Sequence, residues 1–337
     1  MIYKGTERAV GTVVATDNSA IIPSGLIQSG EQSCVMVIQD GIFKGQELEG
    51  VNFLSGSLEK DKIYKPGDRA LITISHQGSD IQSVVMSDHY RLDKELFLLV
   101  AFGILLVAVA GKNGFLAIFS FVITVLTIWK ILVPLYLKGY SPVWIGIWIT
   151  IFLTTIIIFF VYGFDRRTLT ATMGSLLGIF TTCILGMIFT DLFKINGAVM
   201  PDSESLLYSG YQHLNLTAIF MSSIFIGASG AMMDLSVDIT SAIYEVVEKK
   251  PDISWKEAAK SGMNVGRAAM GTMTTTLLLA YSGGYVTLLM VFMAQGTPVD
   301  HILNYKYVAA EVLDTVVGTP VMSATQADVN STNRRNA

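Results

Sequence analysis

The chain has 337 residues, of which 51% are hydrophobic and 15% charged, and its formal net charge at pH 7 is −4. Soluble domains carry about a quarter charged residues, so the composition excludes a wholly soluble protein. The absence of basic tracts and base-reading motifs excludes a nucleic-acid binder. Residues 1–92 have the make-up of a soluble domain, residues 93–320 are long apolar runs with short polar breaks, and residues 321–337 read as a polar, disordered tail.

The first domain carries strand signals. Ala9–Thr16 and Cys34–Gln39 are β-branched, apolar runs bounded by turn residues. Asp40-Gly41 and Lys44-Gly45 mark tight turns, and Lys65-Pro66-Gly67-Asp68 feeds a strand over Arg69–Ser75. Ile81–Ser87 closes the unit. About five short strands of this kind predict a small barrel, OB-like in character. Met1–Val10 is polar and lacks the apolar core of a signal peptide.

A helix needs about twenty apolar residues to cross about 30 Å of hydrocarbon. Leu96–Ala110, Phe115–Leu137, Val143–Phe164, Leu169–Phe189 and Leu216–Met233 meet or approach that length, the last continuing as a polar-striped helix to Val247. Met270–Met293 is interrupted by Gly283-Gly284, and Ile302–Val317 is weakened by Lys306, Glu311 and Asp314. The predicted fold class is an α-helical polytopic membrane protein, with about six or seven transmembrane helices behind a small N-terminal β domain. Lys112, Arg166 and Arg167, and the set Lys249, Lys250, Lys256, Lys260 and Arg267 fall in alternate loops. The positive-inside rule places those loops in the cytoplasm and the β domain outside.

Two stretches are unusually small and polar for membrane helices. One runs Ile226-Gly227-Ala228-Ser229-Gly230-Ala231-Met232-Met233-Asp234 and on through Asp238, Ser241 and Glu245. The other runs Ser261-Gly262-Met263-Asn264-Val265-Gly266-Arg267, then Met270-Gly271-Thr272-Met273-Thr274. With Pro134, Lys138-Gly139-Tyr140 and Gly163-Phe164, these make the chain resemble the YibE/F family of bacterial multi-spanning membrane proteins over about Gly11–Gly318. The resemblance implies a multi-pass protein of the bacterial plasma membrane and names no activity or substrate. It also implies an apolar anchor ahead of the β domain and a long apolar stretch past Gly318. This sequence shows neither, so an incomplete last span is an expectation.

Asp234, Asp238, Ser241 and Glu245 share one helical stripe, as do Asn264, Arg267, Gly271 and Thr274. A carboxylate at membrane depth is costly and should face water, a cation or the bundle interior, and Arg267 is the expected partner of Asp234 or Asp238. The functional reading is a transporter or permease with a polar path for a solute, proton or cation. Asp234, Asp238, Arg267 and Asn264 would line it, with Thr272, Thr274, Thr275 and Thr276 deeper and a helix break at Gly283-Gly284.

Blander readings stand beside it. Asp234, Asp238 and Glu245 could lie at headgroup level. Gly227 with Ala231, and Gly262 with Gly266, have the spacing of close helix packing, a role that extends to Gly230 and Gly271. The threonines could bond back to their own helix. Lys130 could snorkel to an interface, and Glu311 with Asp314 reads as a solvated face. The alternative function is a non-catalytic assembly or accessory protein whose β domain binds a partner. The expected partners are the lipid bilayer, a small solute or ion, and a second copy or another membrane protein. No nucleophile–base pair points to an enzyme. Cys34, Cys183 and the scattered histidines point to no disulfide, metal or cofactor.

Overall fold

In the computed structural model, which describes residues 5–318, the first strand, β1 (Thr6–Asp17), is followed by β2 (Ile21–Ser24), β3 (Ile27–Ile38), β4 (Glu47–Ser55), β5 (Arg69–Gln77) and β6 (Asp80–His89). β1 pairs antiparallel with both β3 and β5, β5 pairs with β6, β3 pairs with β4, and a parallel contact from β4 to β6 closes the ring. Five strands thus form a barrel, and β2 folds back on β3 as a hairpin. Inward residues alternate along the strands, as the two-residue side-chain period requires. They build a core of Val13, Met36, Ile38, Tyr64, Ile72, Ile74 and Met86. Pro66 and Gly67 occupy the centre of a turn closed by Asp68 N–H donating to Lys65 C=O at 3.0 Å, and Gly67 takes φ 93°, a conformation that glycine reaches without steric cost.

The expected strands lie inside β1, β3, β5 and β6, except that Gln39 falls one residue beyond the end of β3, while β2 and β4 carried too little signal to place. In β4 the alternation is interrupted by Asn52, a polar residue that points inward and is only 1% exposed. It belongs to a buried network. The Gln32 side chain donates to Asn18 Oδ1 and to Tyr64 C=O, both at 2.8 Å, and its Oε1 accepts from Tyr64 N–H at 2.9 Å and Asn52 Nδ2 at 3.1 Å.

The chain divides between Ile104 and Leu105 into two units. Helix α1 spans Leu92–Thr127 but is broken at Gly111, whose φ of 56° and ψ of −127° are non-helical. Beyond the break the chain doubles back: a Cβ on Gly114 would lie 3.1 Å from Val107 Cα. A π-helical turn, Ile128–Leu132, leads into α2 (Val133–Leu137). Next come α3 (Pro142–Tyr162), α4 (Arg166–Leu192), the short α5 (Ser203–Tyr208) and α6 (Leu216–Lys249). Helix α7 (Trp255–Ser282) passes through a 3-10 turn at Gly283–Tyr285 into α8 (Val286–Ala294), and α9 (Val299–Asn304) and α10 (Lys306–Gly318) follow. Among the described residues, five helical stretches are long and apolar enough to cross a membrane: Leu92–Leu137, Pro142–Tyr162, Arg166–Leu192, Leu216–Lys249 and Trp255–Ala294. The expected polar tail at 321–337 lies outside the described residues.

Helices α3, α4 and α6 form the centre of this unit. Ile179, Cys183, Phe225, Met232, Leu235 and Ile239 fill the core, with Ala310, Leu313 and Val317 of α10 against them. One expectation is corrected there. Glu311 and Asp314 do not form a solvated face. Glu311 Oε1 and Asp314 Oδ1 are sealed from solvent, without a hydrogen-bond partner among the described residues, because α10 lies along the core.

Candidate functional site

Four contacts fix how the central helices run. Gly146 of α3 lies against Ser222 of α6, with room for no side chain: a Cβ there would sit 3.0 Å from Ser222 Cβ. At the far end of α3, Tyr162 Oη donates to Val237 C=O at 2.7 Å and lies 2.6 Å from Ser241 Oγ. Helices α3 and α6 are therefore parallel. Ser175 Oγ of α4 lies 3.4 Å from Met232 C=O, while a Cβ on Gly186 would touch Phe225 at 3.4 Å. Helix α4 therefore runs antiparallel to both.

The residues facing this three-helix seam are mostly hydroxyls. On α6, Ser222, Ser229 and Ser236 recur every seventh residue and Thr240 follows one turn later, all buried. Helix α3 supplies Thr150 and Thr154, and α4 supplies Thr172, Ser175 and Thr182, also buried. These hydroxyls are spread along the seam: Ser175 and Thr182, seven residues apart on α4, are about 10.5 Å apart along its axis. Small side chains at these positions let the backbones approach closely.

Not all of these hydroxyls are satisfied. Ser175 donates to Ala171 C=O at 2.8 Å and Ser229 to Ile226 C=O at 2.7 Å. Ser222 pairs with Tyr136 Oη. By contrast, the hydroxyls of Thr150, Thr154, Thr172, Thr182, Ser236 and Thr240 have no hydrogen-bond partner among the described residues. A helical threonine commonly turns to the carbonyl four residues back, as Thr155, Thr170 and Thr181 do. Each buried, unpaired polar group costs about 1–3 kcal/mol, so six of them form an expensive feature.

Asp234 and Asp238 sit elsewhere on α6. Both are exposed, on the side turned away from Leu235, Ser236, Ile239 and Thr240. Helix α6 has 34 residues and so extends about 51 Å, longer than a hydrocarbon core of about 30 Å. Its last turns therefore project beyond such a layer, where Lys249 Nζ donates to Glu245 at 2.6 Å. Near that end Arg167 stacks on the Tyr244 ring at 4.7 Å and pairs with Asp165 at 3.3 Å. At this end Tyr162 and Ser241 are joined across α3 and α6, while Asp234 and Asp238 lie on the exposed face of α6.

The expected pairing of Arg267 with Asp234 or Asp238 is absent among the described residues. Spacing along the helices is not the reason. Asp238 lies eleven residues before the end of α6 and Arg267 twelve after the start of α7, so both are about 17 Å from the hairpin between them. The faces differ. Helix α7 turns Ala269, Met270, Met273 and Leu277 to the core and leaves Asn264 and Arg267 exposed. Thr272 and Thr275 are exposed and Thr274 is half-buried. Thr272 and Thr274 donate to Ala269 and Met270 carbonyls at 2.9 and 2.8 Å, so these hydroxyls are committed to their own helix.

Among the glycines, Gly262 and Gly266 are buried and Gly227 is exposed. A Cβ on Gly230, Gly271, Gly283 or Gly284 would meet nothing within 4 Å. Lys130 lies 4.1 Å from the centre of the Trp129 ring. Sequence reasoning missed Tyr162 and the whole α3–α4–α6 seam. The seven-residue recurrence of serine in α6 and the Thr150–Thr154 pair one turn apart were the available signals.

Among known families, the model for YibE/F-like protein matches residues 98–322. No curated protein and no solved structure matches the chain.

Proposed function

The chain belongs to the YibE/F-like family, and from that premise we propose that it is a permease for a small solute or ion in the bacterial plasma membrane. The observation that carries this reading is the column of buried hydroxyls along α3, α4 and α6, six of them unpaired, within helices otherwise apolar enough to lie in lipid. A purely structural bundle would fill such a seam with alkyl groups at lower cost. Asp234 and Asp238, four residues apart on the exposed face of α6 and without an ion pair among the described residues, raise the local concentration of cations beside the bundle. In this reading the protein is not an enzyme.

The break at Gly111 makes six crossings of the five apolar stretches, with α1 folded as two passes. Arg166, Arg167, Lys249 and Lys250 then share one side, because α3 and α6 run parallel. In this reading that side is the cytoplasm under the positive-inside rule, and the β unit, read as OB-like, is extracytoplasmic. Proteoliposome flux tests the proposal: a panel of alkali cations, protons and small neutral solutes is screened with wild type, Asp234→Asn and Asp238→Asn. Flux in the wild type that falls in the variants is the expected result, and a wild type as tight as empty liposomes refutes it.

A second reading, an accessory protein with a partner on the β unit, is favoured by one observation. The β2–β3 hairpin tip presents Leu26, 88% exposed, and the loop after β4 presents Leu58, 73% exposed, at the rim of a groove lined by Ile27, Leu54 and Ile63. Stoichiometric co-purification of a partner, lost in Leu26→Asp, would support it.

A further inference from the structure

Helix α6 is apolar enough to cross a membrane, yet every residue it exposes is small or polar. Ser223, Gly227, Asp234, Asp238 and Ser241 make one stripe along it, and Glu245, Glu248 and Lys249 follow at its projecting end. The exposed faces of α3 and α4 differ, carrying Trp148, Phe152, Phe180 and Ile188. Helix α7, which packs against α6, exposes a second stripe of small and polar residues, Asn264, Ala268, Gly271 and Thr275, with Arg267 beside it. A Cβ on Gly230 or Gly271 would meet nothing within 4 Å, so space stands open at both helices. Small faces of this kind let a neighbouring helix approach closely, whereas a charged side chain facing lipid is costly. Asp234, Asp238 and Arg267 have no ion pair among the described residues.

The two stripes complement each other in charge but do not meet within one chain, because α7 turns Met270 and Met273 to the core and leaves Arg267 exposed. Their depths nevertheless match. Asp238 and Arg267 both lie about 17 Å from the hairpin that joins α6 to α7, and one turn deeper Asp234 and Gly271 are fifteen and sixteen residues from it. We propose that this face binds a second copy of the chain, α6 of each copy lying against α7 of the other, with Arg267 of one copy pairing with Asp238 and Asp234 of the other. A two-fold axis along the membrane normal keeps both copies in the same direction, so depths counted from the two hairpins stay equal and every contact occurs twice. The surface is then complementary to itself, which favours a second copy over an unrelated helix. Each crossing brings two carboxylates to one guanidinium, so a negative charge remains beside the bundle. The pairing does not depend on the permease reading: a dimer that moves no solute leaves it standing.

The test is the mass of the purified full chain in detergent, by light scattering with the detergent subtracted, and its subunit number in lipid vesicles, by counting single fluorophores. Wild type is expected at twice the chain mass of 36.7 kDa. Arg267→Glu places three carboxylates at each crossing, and Asp234→Arg with Asp238→Arg places three guanidiniums there. Like charges so juxtaposed should weaken association by about a hundredfold or more. Each variant is therefore expected as a monomer, with wild-type helicity by circular dichroism because the altered side chains are exposed. Co-expressing the two variants, each with its own tag, should restore a dimer that carries both tags, because every crossing again joins opposite charges. Three results overturn the proposal. One is a wild type monomeric in detergent and in vesicles, whether alone or with a different protein bound. Another is a dimer whose mass neither variant changes, which places the interface elsewhere. The third is a pair of monomeric variants that stay apart when co-expressed, which assigns their loss to misfolding rather than to charge.

Discussion

Gly146→Ala tests the closest approach on which the seam depends. The added Cβ would sit 3.0 Å from Ser222 Cβ and 3.2 Å from Tyr136 Oη. Neither neighbour is free to retreat: Tyr136 is buried and bonded to Pro142 C=O at 3.3 Å, and Ser222 is 0% exposed. Overpacking a filled interior costs about 1–3 kcal/mol, and displacing the Tyr136–Ser222 hydrogen bond adds about 1 kcal/mol. The sum, about 2–4 kcal/mol, lowers the melting temperature by roughly 5–10 °C for a unit of this size. Differential scanning fluorimetry in detergent reads the loss. The double variant Gly146→Ala with Ser222→Gly should recover most of it, because the two changes share one contact. A Gly146→Ala protein that melts with wild type would refute the reasoning, since α3 and α6 would then stand too far apart to enclose the seam.

Other consequences follow from the β unit. Gln32→Leu orphans Tyr64 N–H and Tyr64 C=O and removes a partner of Asn52, at about 1–3 kcal/mol for each group left unpaired. The barrel should unfold at clearly lower denaturant by circular dichroism while helical signal persists, and an unchanged barrel transition would contradict the network. Asp61 is held below the usual carboxylate range, first by the hydrogen bonds it accepts around Ser55 and then by those from Ser57 and Gly56. A lowered folded-state value stabilises the barrel above the unfolded value of about 4 and is lost as pH falls through the folded one. An acid titration should therefore show wild type and Asp61→Asn converging in stability at low pH and diverging above pH 5; a constant gap would contradict it.

How much was legible in the residues depended on whether the signal was periodic or relational. The apolar runs after residue 93 revealed the long apolar helices, because twenty uncharged residues admit few other fates, although the weaker run Ile302–Val317 is not among the stretches long and apolar enough to cross a membrane. Strands β3 and β5 showed in their alternation, with inward Cys34, Met36 and Ile38 and inward Ala70, Ile72 and Ile74. Strand β4 did not, because the polar Asn52 occupies an inward position, and β2 did not, because Pro23 demotes a run to an edge. Helix α7 begins at Trp255, ahead of the apolar stretch that revealed it, since hydropathy sees only the part that resembles lipid. The carboxylates of α6 were visible as a stripe, but their supposed partner was wrong. Counting along two helices gives depth, and only the packing of Met270 and Met273 decides which way Arg267 turns. The seam escaped for a related reason: a serine or threonine in an apolar run is unremarkable until three helices bring several to the same place.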